Sequence, residues 1–237
     1  PFTNPNSCIN MVGGKVSILT GATGPITATI TACATGATSM IIGSMFLRQG
    51  IADVVICGAV DFPLVEPIVA GFASMNGAYK HKKDQPEEPS AASRPFSANR
   101  RGFVVSEGAA SVIIATREFA DAHGLSYLFE IAGWSMTSDA YHFVAPNPAT
   151  VTRCVGESLA AAGLKPADVA AVNAHGTSTK IGDSVEYDAL SAVFGGTIPP
   201  VSANKSQIGH AMGASSGIES VFALEGMRRG MLLPTIN

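Results

Sequence analysis

The residue with the clearest chemical potential is Cys33, which stands at a corner between two predicted elements. Residues 26–32 alternate β-branched and small side chains as a strand does, and small residues after Cys33 then begin an apolar helix. A helix N-terminus presents unpaired N–H groups and a partial positive charge, and both favour a thiolate over a thiol. Because the thiolate is the nucleophile, the pattern predicts covalent chemistry at Cys33.

Two histidines lie in polar clusters that also follow predicted strands. His175 is followed by a glycine and by hydroxyl residues that include Thr177 and Thr179. His210 lies between glycines ahead of a predicted helix, five residues after Lys205. Sites in open α/β sheets form at strand ends, so Cys33 and the two histidines are predicted to belong to one site.

The cysteine pattern argues against two common frameworks. Cys8, Cys33, Cys57 and Cys154 are widely separated and include no CxxC pair, so neither a zinc knuckle nor a disulfide framework is indicated. One cysteine and two histidines do occur together in zinc sites, but no two of these candidate ligands are closely spaced, and we predict no metal. A reducing, cytoplasmic setting is expected.

The composition indicates an α/β enzyme rather than a disordered, nucleic-acid-binding or membrane protein. Of 237 residues, 46% are hydrophobic and only 14% are charged. The net charge of −3 offers no basic excess for nucleic acid, and no apolar run reaches membrane-spanning length. Neither end resembles a natural terminus, so we expect the sequence to be part of a longer protein.

Hydrophobic periodicity and turn residues predict alternating strands and helices. The predicted extended segments are residues 15–20, 26–32, 52–60, 109–115, 127–136, 169–173 and 201–203. The predicted helices are residues 36–49, 116–123, 150–162, 183–194 and 214–229. We expect helix 36–49 to be buried on most sides and strand 52–60 to be central and parallel.

A faint internal repeat predicts how these elements are arranged. Residues 34–50 and residues 213–230 both begin with small residues and continue as an apolar helix that ends in arginine and glycine. Two similar units suggest a duplicated α/β architecture with the active site between the halves.

The loop at residues 80–89 changes charge along its length. It is basic at Lys80, Lys82 and Lys83 and acidic at Glu87 and Glu88. We interpret it as a solvated surface loop, with docking of an acidic partner as the alternative.

Seven stretches, taken in order, carry a family resemblance. They are TACATG (31–36), SRPF (93–96), GFVVSEGA (102–109), SDAYH (138–142), NAHGTST (173–179), GD (182–183) and NKSQIGHAMGASSG (204–217). Together they resemble the β-ketoacyl-acyl carrier protein synthases of type II fatty-acid and polyketide synthesis. The resemblance implies the thiolase fold, with layers αβαβα and two similar halves. Residues 1–237 are then expected to be a fragment of a single ketosynthase domain, with the end of the first half at about 1–120 and most of the second at about 121–237.

The resemblance also implies an activity, a decarboxylative Claisen condensation. Cys33 is expected to take an acyl group from the phosphopantetheine arm of an acyl carrier protein. Malonyl-acyl carrier protein then loses carbon dioxide and attacks that acyl group, which gives a β-ketoacyl-acyl carrier protein. The implied partners are the acyl carrier protein and a second subunit, in a homodimer or in a heterodimer with a ketosynthase-like chain. No permanently bound cofactor is implied.

Catalytic roles follow from the same resemblance. His175 and His210 match histidines that donate hydrogen bonds to the malonyl thioester oxygen, where enolate charge develops. Lys205 and Glu186 match an ion pair that orients the histidines. The backbone N–H of Cys33 is expected to serve the oxyanion.

Four residues are implied to bind substrate. Thr177 and Thr179 match residues that hydrogen-bond the pantetheine amides, and Phe72 is expected to face the acyl pocket. Ile68 lies where fatty-acid enzymes often have a smaller residue, so a modified acyl pocket is a hypothesis.

Two other functions stay open. A non-elongating partner subunit of the chain-length-factor type shares the fold but replaces the nucleophile, and the presence of Cys33 argues against it. A coenzyme A-dependent thiolase shares the small-residue stretch after His210 but lacks the loop that contains His175. The sequence therefore favours an elongating ketosynthase.

Overall fold

The computed structural model describes residues 8–81, 83–84 and 87–237 as short strands covered by helices. The strands are β1 (Val54–Asp61), β2 (Gly108–Ala115), β3 (Val172–Asn173) and β4 (Val201–Ser202). The helices are α1 (Met11–Thr20), α2 (Thr35–Arg48), α3 (Glu66–Ser74), α4 (Arg117–Ala122), α5 (Pro148–Ala162), α6 (Lys180–Phe194), α7 (Lys205–Ile208) and α8 (Ser215–Arg228). Among the described residues, no helix is both long and apolar enough to cross a membrane.

β1 and β2 form an antiparallel pair that is covered on one face. Val54 lies opposite Ala115, and the residues of β2 alternate between half-buried and exposed. Helices α2 and α8 pack on the covered face, where Cys57 is buried. A second pair, β3 and β4, is parallel, and α5 packs against α6.

Helices α2 and α8, which belong to the predicted repeat, cross closely at their N-termini. A Cβ atom on Gly36 of α2 would lie 2.2 Å from the backbone nitrogen of Gly217 in α8. Only glycine allows two backbones to approach this closely. The crossing draws Cys33, just before α2, towards the segment that contains His210, just before α8.

Local signals fix the ends of α5 as capping rules predict. Asn147 accepts a hydrogen bond from the N–H of Ala149, and Pro148 occupies the first helical position. The helix ends at Gly163, whose φ of 68° lies in the left-handed region.

The predicted helices are confirmed with small shifts at their ends, and so are the strand at residues 109–115 and short strands within 169–173 and 201–203. Three predicted extended segments are wrong. Residues 15–20 lie in α1, which ends where Gly21 adopts a φ of 72°. Residues 26–32 and 127–136 form no strand, because no described strand lies beside them to complete a ladder.

Two predictions about environment are also wrong. β1 pairs with β2 in the antiparallel direction. Its apolar run suggested a parallel strand buried on both faces, but within the described residues only one face of β1 is covered. The large apolar side chains of α2 are half-buried or, at Met45, exposed, and its fully buried positions are small residues: Gly36, Thr38, Gly43 and Ser44.

The described residues of the loop at 80–89 are exposed, as predicted, except Glu87, which is half-buried. Lys82 lies outside the described residues, but the Glu87 side chain is only 19% exposed and pairs with Arg94 and Arg101. Hydrogen bonds from Tyr79 and Arg101 lower the pKa of Glu87 to about 2. An acidic residue held in this way anchors the loop.

Candidate active site

Hydroxyl hydrogen bonds hold the turn that carries Cys33 ahead of α2. The N–H of Thr31 donates to Oγ1 of Thr35 (3.0 Å), and that hydroxyl donates to the carbonyl of Ala32 (2.7 Å). Ala32 has a φ of 47°, which a non-glycine residue adopts only at an energetic cost. Backbone strain of this kind is found at functional sites, where the surrounding structure maintains it.

The structure brings Cys33 and the two histidines together, as the sequence predicts. Sγ of Cys33 lies 3.0 Å from Nε2 of His210. The rings of His210 and His175 meet edge to face, with their centroids 5.6 Å apart. One atom from each of the three residues lies within 4.8 Å of the others. The sulfur of Cys33 therefore faces two imidazoles across a small space.

Burial raises the pKa of Cys33 above its ordinary value, and the positive charge of Lys205 offsets this only in part. The negative charges of Glu219 and Asp61 raise it further. A backbone hydrogen bond at Cys33 lowers the pKa, in the direction that the sequence predicts, but desolvation of the half-buried sulfur is the larger effect and the net shift is upward.

Both imidazoles are held in the neutral form. Burial, followed by the charge of Lys205, lowers the pKa of His210 to about 2. The same two causes lower the pKa of His175 well below its usual range, although one side of His175 is exposed. Rings with such pKa values are weak bases, so their chemistry is hydrogen-bond donation through N–H.

Lys205 determines which nitrogen of His175 carries the proton. Nζ of Lys205 lies 3.3 Å from Nδ1 of His175 and donates to the His175 carbonyl at 2.7 Å. An ammonium group can only donate hydrogen bonds, so Nδ1 accepts. The ring proton of His175 is therefore on Nε2.

The predicted ion pair between Lys205 and Glu186 is wrong in its acidic partner. Lys205 is 1% exposed and pairs with Glu219 at 2.6 Å. Glu186 instead accepts from the N–H of His175 (2.6 Å) and of Gly176 (2.8 Å). Glu186 thus holds the backbone at His175, and Glu219 is the carboxylate that pairs with the buried ammonium. Burial raises the pKa of both Glu186 and Glu219.

Sequence reasoning missed Glu219. Its signal was a single carboxylate among the small and apolar residues that begin α8, nine residues after His210. A lone acidic residue on a helix packed against a sheet and a second helix requires a buried cation as its partner. Lys205 is that cation.

The loop after His175 is fixed by a buried carboxylate. Oδ1 of Asp183 accepts from the N–H of Thr177 (3.0 Å), and its Oδ2 accepts from the N–H of Phe96 (2.8 Å). The hydroxyls of Thr177 and Thr179 lie 2.9 Å apart. Both threonines are thus brought beside His175, with Thr177 buried and Thr179 half-buried.

Of the two residues predicted to line the acyl pocket, Phe72 is connected to the site by ring contacts and Ile68 is not. Phe72 of α3 meets Phe103 edge to face at 5.5 Å, and Phe103 meets His210 in the same way at 5.3 Å. Phe72 is therefore joined to the site through one intervening ring. Ile68, one turn earlier on α3, is 43% exposed and lies outside this aromatic series.

The three-residue cluster has ligand types that suit zinc, but its surroundings do not suit a cation. The proton that His175 carries on Nε2 would have to leave, and Nδ1 would then need a proton while facing an ammonium. A divalent ion would also lie close to the charge of Lys205. The donor set is better suited to hydrogen-bond an anionic oxygen.

Comparisons with known proteins identify the family of the chain. The family model for the N-terminal domain of β-ketoacyl synthases matches residues 1–120, and that for the C-terminal domain matches residues 128–237. The 3-oxoacyl-[acyl-carrier-protein] synthase 2 of Staphylococcus aureus is 38% identical over 241 residues, and that of Rhizobium meliloti (strain 1021) is 36% identical. The alignments cover 100% of this chain but 59% and 56% of those proteins, so the chain spans little more than half their length.

Solved structures show the same fold. A type II polyketide ketosynthase, solved in complex with its acyl carrier protein, superimposes with a TM-score of 0.93 at 28% identity, over 99% of this chain and 58% of that one. A β-ketoacyl synthase from Burkholderia phymatum STM815 gives a TM-score of 0.89 at 33% identity, over 96% and 54% of the two chains. The predicted thiolase-like α/β fold, present as a partial chain, is confirmed. With family models matching both parts of its sequence, the chain belongs to the β-ketoacyl synthase family.

Proposed function

We propose that the protein containing this chain is an elongating β-ketoacyl-acyl carrier protein synthase in fatty-acid or polyketide synthesis. The observation that carries the proposal is the position of the Cys33 sulfur, 3.0 Å from Nε2 of a neutral, buried His210. In a non-elongating partner subunit, which lacks the nucleophile, the contact between Cys33 and His210 would not occur. The curated relatives bear the name of such a synthase.

The first proposed step transfers an acyl group to Cys33. The Cys33 thiol gives up its proton, the thiolate attacks the acyl thioester carbonyl, and a carbon–sulfur bond to the enzyme forms. The bond between the carbonyl carbon and the pantetheine sulfur breaks, and the pantetheine thiolate leaves and takes up a proton in place of the one that Cys33 lost. The N–H of Cys33 donates to the carbonyl oxygen as charge develops on it. An Nε2–H of His210 directed at the sulfur stabilises the thiolate, which offsets part of the desolvation that raises the Cys33 pKa.

The second proposed step uses both histidines as donors. Malonyl-acyl carrier protein loses carbon dioxide, and the electron pair of the broken bond moves into an enolate whose oxygen accepts from His175 and His210. The enolate carbon attacks the acyl-Cys33 carbonyl, a carbon–carbon bond forms, and the Cys33 thiolate is released. Neutral imidazoles suit this role, because they stabilise the oxygen without protonating the nucleophilic carbon.

The remaining predicted residues are proposed to position these groups or the substrate. Lys205 sets the His175 tautomer, and Glu186 holds the His175 backbone. Thr177 and Thr179 are proposed to hydrogen-bond the pantetheine arm. We further propose that Phe72 and Ile68 line the acyl pocket.

We propose the acyl carrier protein as the partner and its phosphopantetheine arm as the carrier of both substrates, with no permanently bound cofactor. A ketosynthase in complex with its carrier protein and the ishigamide ketosynthase/chain length factor are both structural neighbours, the latter with a TM-score of 0.80 at 32% identity, over 90% of this chain and 50% of that one. These neighbours support a carrier-protein partner and an assembly with a second ketosynthase-like subunit, identical or not.

The direct test is to incubate the full-length protein with acyl carrier proteins loaded with acyl chains of different lengths. Mass spectrometry of the digested protein should find the acyl group on the peptide that contains Cys33. The Cys33→Ala variant should carry none. Cys154→Ser is the matched control, because Cys154 lies in α5, away from the histidines, and its loss should leave acylation intact.

Absence of acyl-Cys33 with every donor would overturn the proposal. Acylation at Cys33 from acyl-coenzyme A but not from any carrier protein would favour the thiolase alternative. Full activity of a complex that contains Cys33→Ala would favour the non-elongating partner subunit.

A further inference from the structure

Ser215 lies where it can control the ring of His210. It is the first residue of α8, is fully buried, and its Oγ lies 2.8 Å from Nδ1 of His210. The opposite ring nitrogen, Nε2, is the one that lies 3.0 Å from Sγ of Cys33. The imidazole therefore bridges a serine hydroxyl and the nucleophile, and only one of its two nitrogens carries a proton when the ring is neutral.

The direction of the bond between Ser215 and His210 follows from the hydrogen-bond partners of Ser215. In the part of the chain that the structure describes, its hydroxyl has only one partner, Nδ1 of His210. If Nδ1 donated, the hydroxyl proton would be buried without an acceptor, which is costly. If the hydroxyl donates, both groups of the pair are satisfied. Donation by Ser215 is therefore the favoured direction.

We infer that Ser215 is a positioning residue that holds His210 in the tautomer with its proton on Nε2, directed at the reacting atoms. Its importance for catalysis rests on the proposed function, whereas the tautomer is a property of the protein alone. His175 reaches the same tautomer by a different route, because its Nδ1 accepts from the ammonium of Lys205. The two donors, Ser215 and Lys205, make both histidines present Nε2–H to the same space.

The backbone contacts of His210 do not determine which of its ring nitrogens carries the proton. The N–H of His210 donates to the Val104 carbonyl at 2.7 Å, and its carbonyl accepts from the N–H of Ser106 at 2.9 Å. These bonds fix the backbone, and the edge of Phe103 packs on the ring at 5.3 Å. None of these contacts involves a ring nitrogen, so Ser215 is the group that distinguishes the two tautomers on the Nδ1 side.

The test compares Ser215→Ala with the wild-type full-length protein, and two-bond ¹H–¹⁵N correlation spectra report the tautomer of His210 without substrate. The wild type should show the proton on Nε2, and the variant should lose this preference. In the same variant, decarboxylation of malonyl-acyl carrier protein should fall about tenfold, as expected for the loss of one hydrogen bond. Ser215→Thr, which keeps the hydroxyl, should retain the tautomer.

Ser220→Ala is the matched control, because Ser220 lies in the same helix and donates only to the Ser216 carbonyl. It should change neither readout. A wild-type His210 with its proton on Nδ1, or a Ser215→Ala variant with an unchanged tautomer, would overturn the inference. If the wild type shows no acyl-Cys33, the proposed function fails while the tautomer result stands, so the two outcomes are distinguishable.

Discussion

At the scale of single residues, the site is governed by a buried positive charge and by the desolvation around it. Lys205 and its partner Glu219 are both almost fully buried, and their pair lies beside His175. Burial and, after it, the ammonium charge lower the pKa of both histidines, and the same charge partly offsets the raised pKa of Cys33. One cation thus influences the thiol of Cys33 and both imidazoles.

Removing Glu219, the acidic partner of the buried Lys205, should lower the stability of the fold. Glu219→Ala leaves the Lys205 ammonium buried without a counterion, and we expect a loss of about 3–5 kcal/mol in the free energy of unfolding. Urea denaturation followed by circular dichroism measures it. Glu225→Ala, in the same helix but in an exposed pair with Arg228 and Arg229, is the control and should change stability little. Equal effects of the two substitutions would contradict the buried-pair account.

The pH dependence of Cys33 alkylation should report the raised pKa of the desolvated thiol. Iodoacetamide reacts with the thiolate, and a raised pKa means that less thiolate is present at a given pH. The alkylation rate of Cys33 should therefore rise through a midpoint above that of a free cysteine derivative, measured by peptide mass spectrometry across pH.

Asp61 offers a matched variant for this measurement. Its Oδ2 accepts from the N–H of Gly213 at 2.9 Å, and its negative charge raises the Cys33 pKa. Asp61→Asn keeps an acceptor at that position but removes the charge, so the alkylation midpoint should move to lower pH. A midpoint that stays in place or rises would show that Asp61 does not act through its charge.

At the scale of elements, two helix starts and one loop position the chemistry. The turn before α2 carries Cys33, the segment before α8 carries His210, and the glycine crossing holds the two helices together. The loop that follows β3 carries His175 and is fixed by Glu186 and Asp183, both from α6. The geometry of the site therefore depends on backbone contacts as much as on the side chains of Cys33 and the two histidines.

The crossing of α2 and α8 can be tested with one methyl group. Gly36→Ala places a Cβ atom 2.2 Å from the Gly217 nitrogen, so the helices must separate. We expect a loss of about 1–3 kcal/mol or more in the free energy of unfolding and slower acylation of Cys33. The control is Gly156→Ala in α5, where a Cβ atom meets nothing within 4 Å and alanine is the better helix former. A Gly36→Ala protein with wild-type stability would contradict the close crossing.

At the scale of the whole molecule, the sequence predicted the family and the meeting of Cys33 with both histidines, because strand ends and helix starts carry strong local signals. It did not predict the partner of Lys205, since two buried carboxylates compete for one cation and only the fold decides between them. Strand assignments failed at residues 26–32 and 127–136, because a strand needs a neighbour that local sequence does not specify. The direction of the Cys33 pKa shift also required the structure, since burial depends on long-range packing.

In the proposed mechanism, Cys33 is the nucleophile, and His175 and His210 serve the enolate as neutral donors. The most direct measurement compares two rates in the full-length His210→Ala protein: transfer of an acyl group to Cys33, and release of carbon dioxide from malonyl-acyl carrier protein. We predict that decarboxylation falls at least about 100-fold, as when one oxyanion donor is removed, while acylation falls far less. Equal losses in the two rates, or unchanged decarboxylation, would contradict this account.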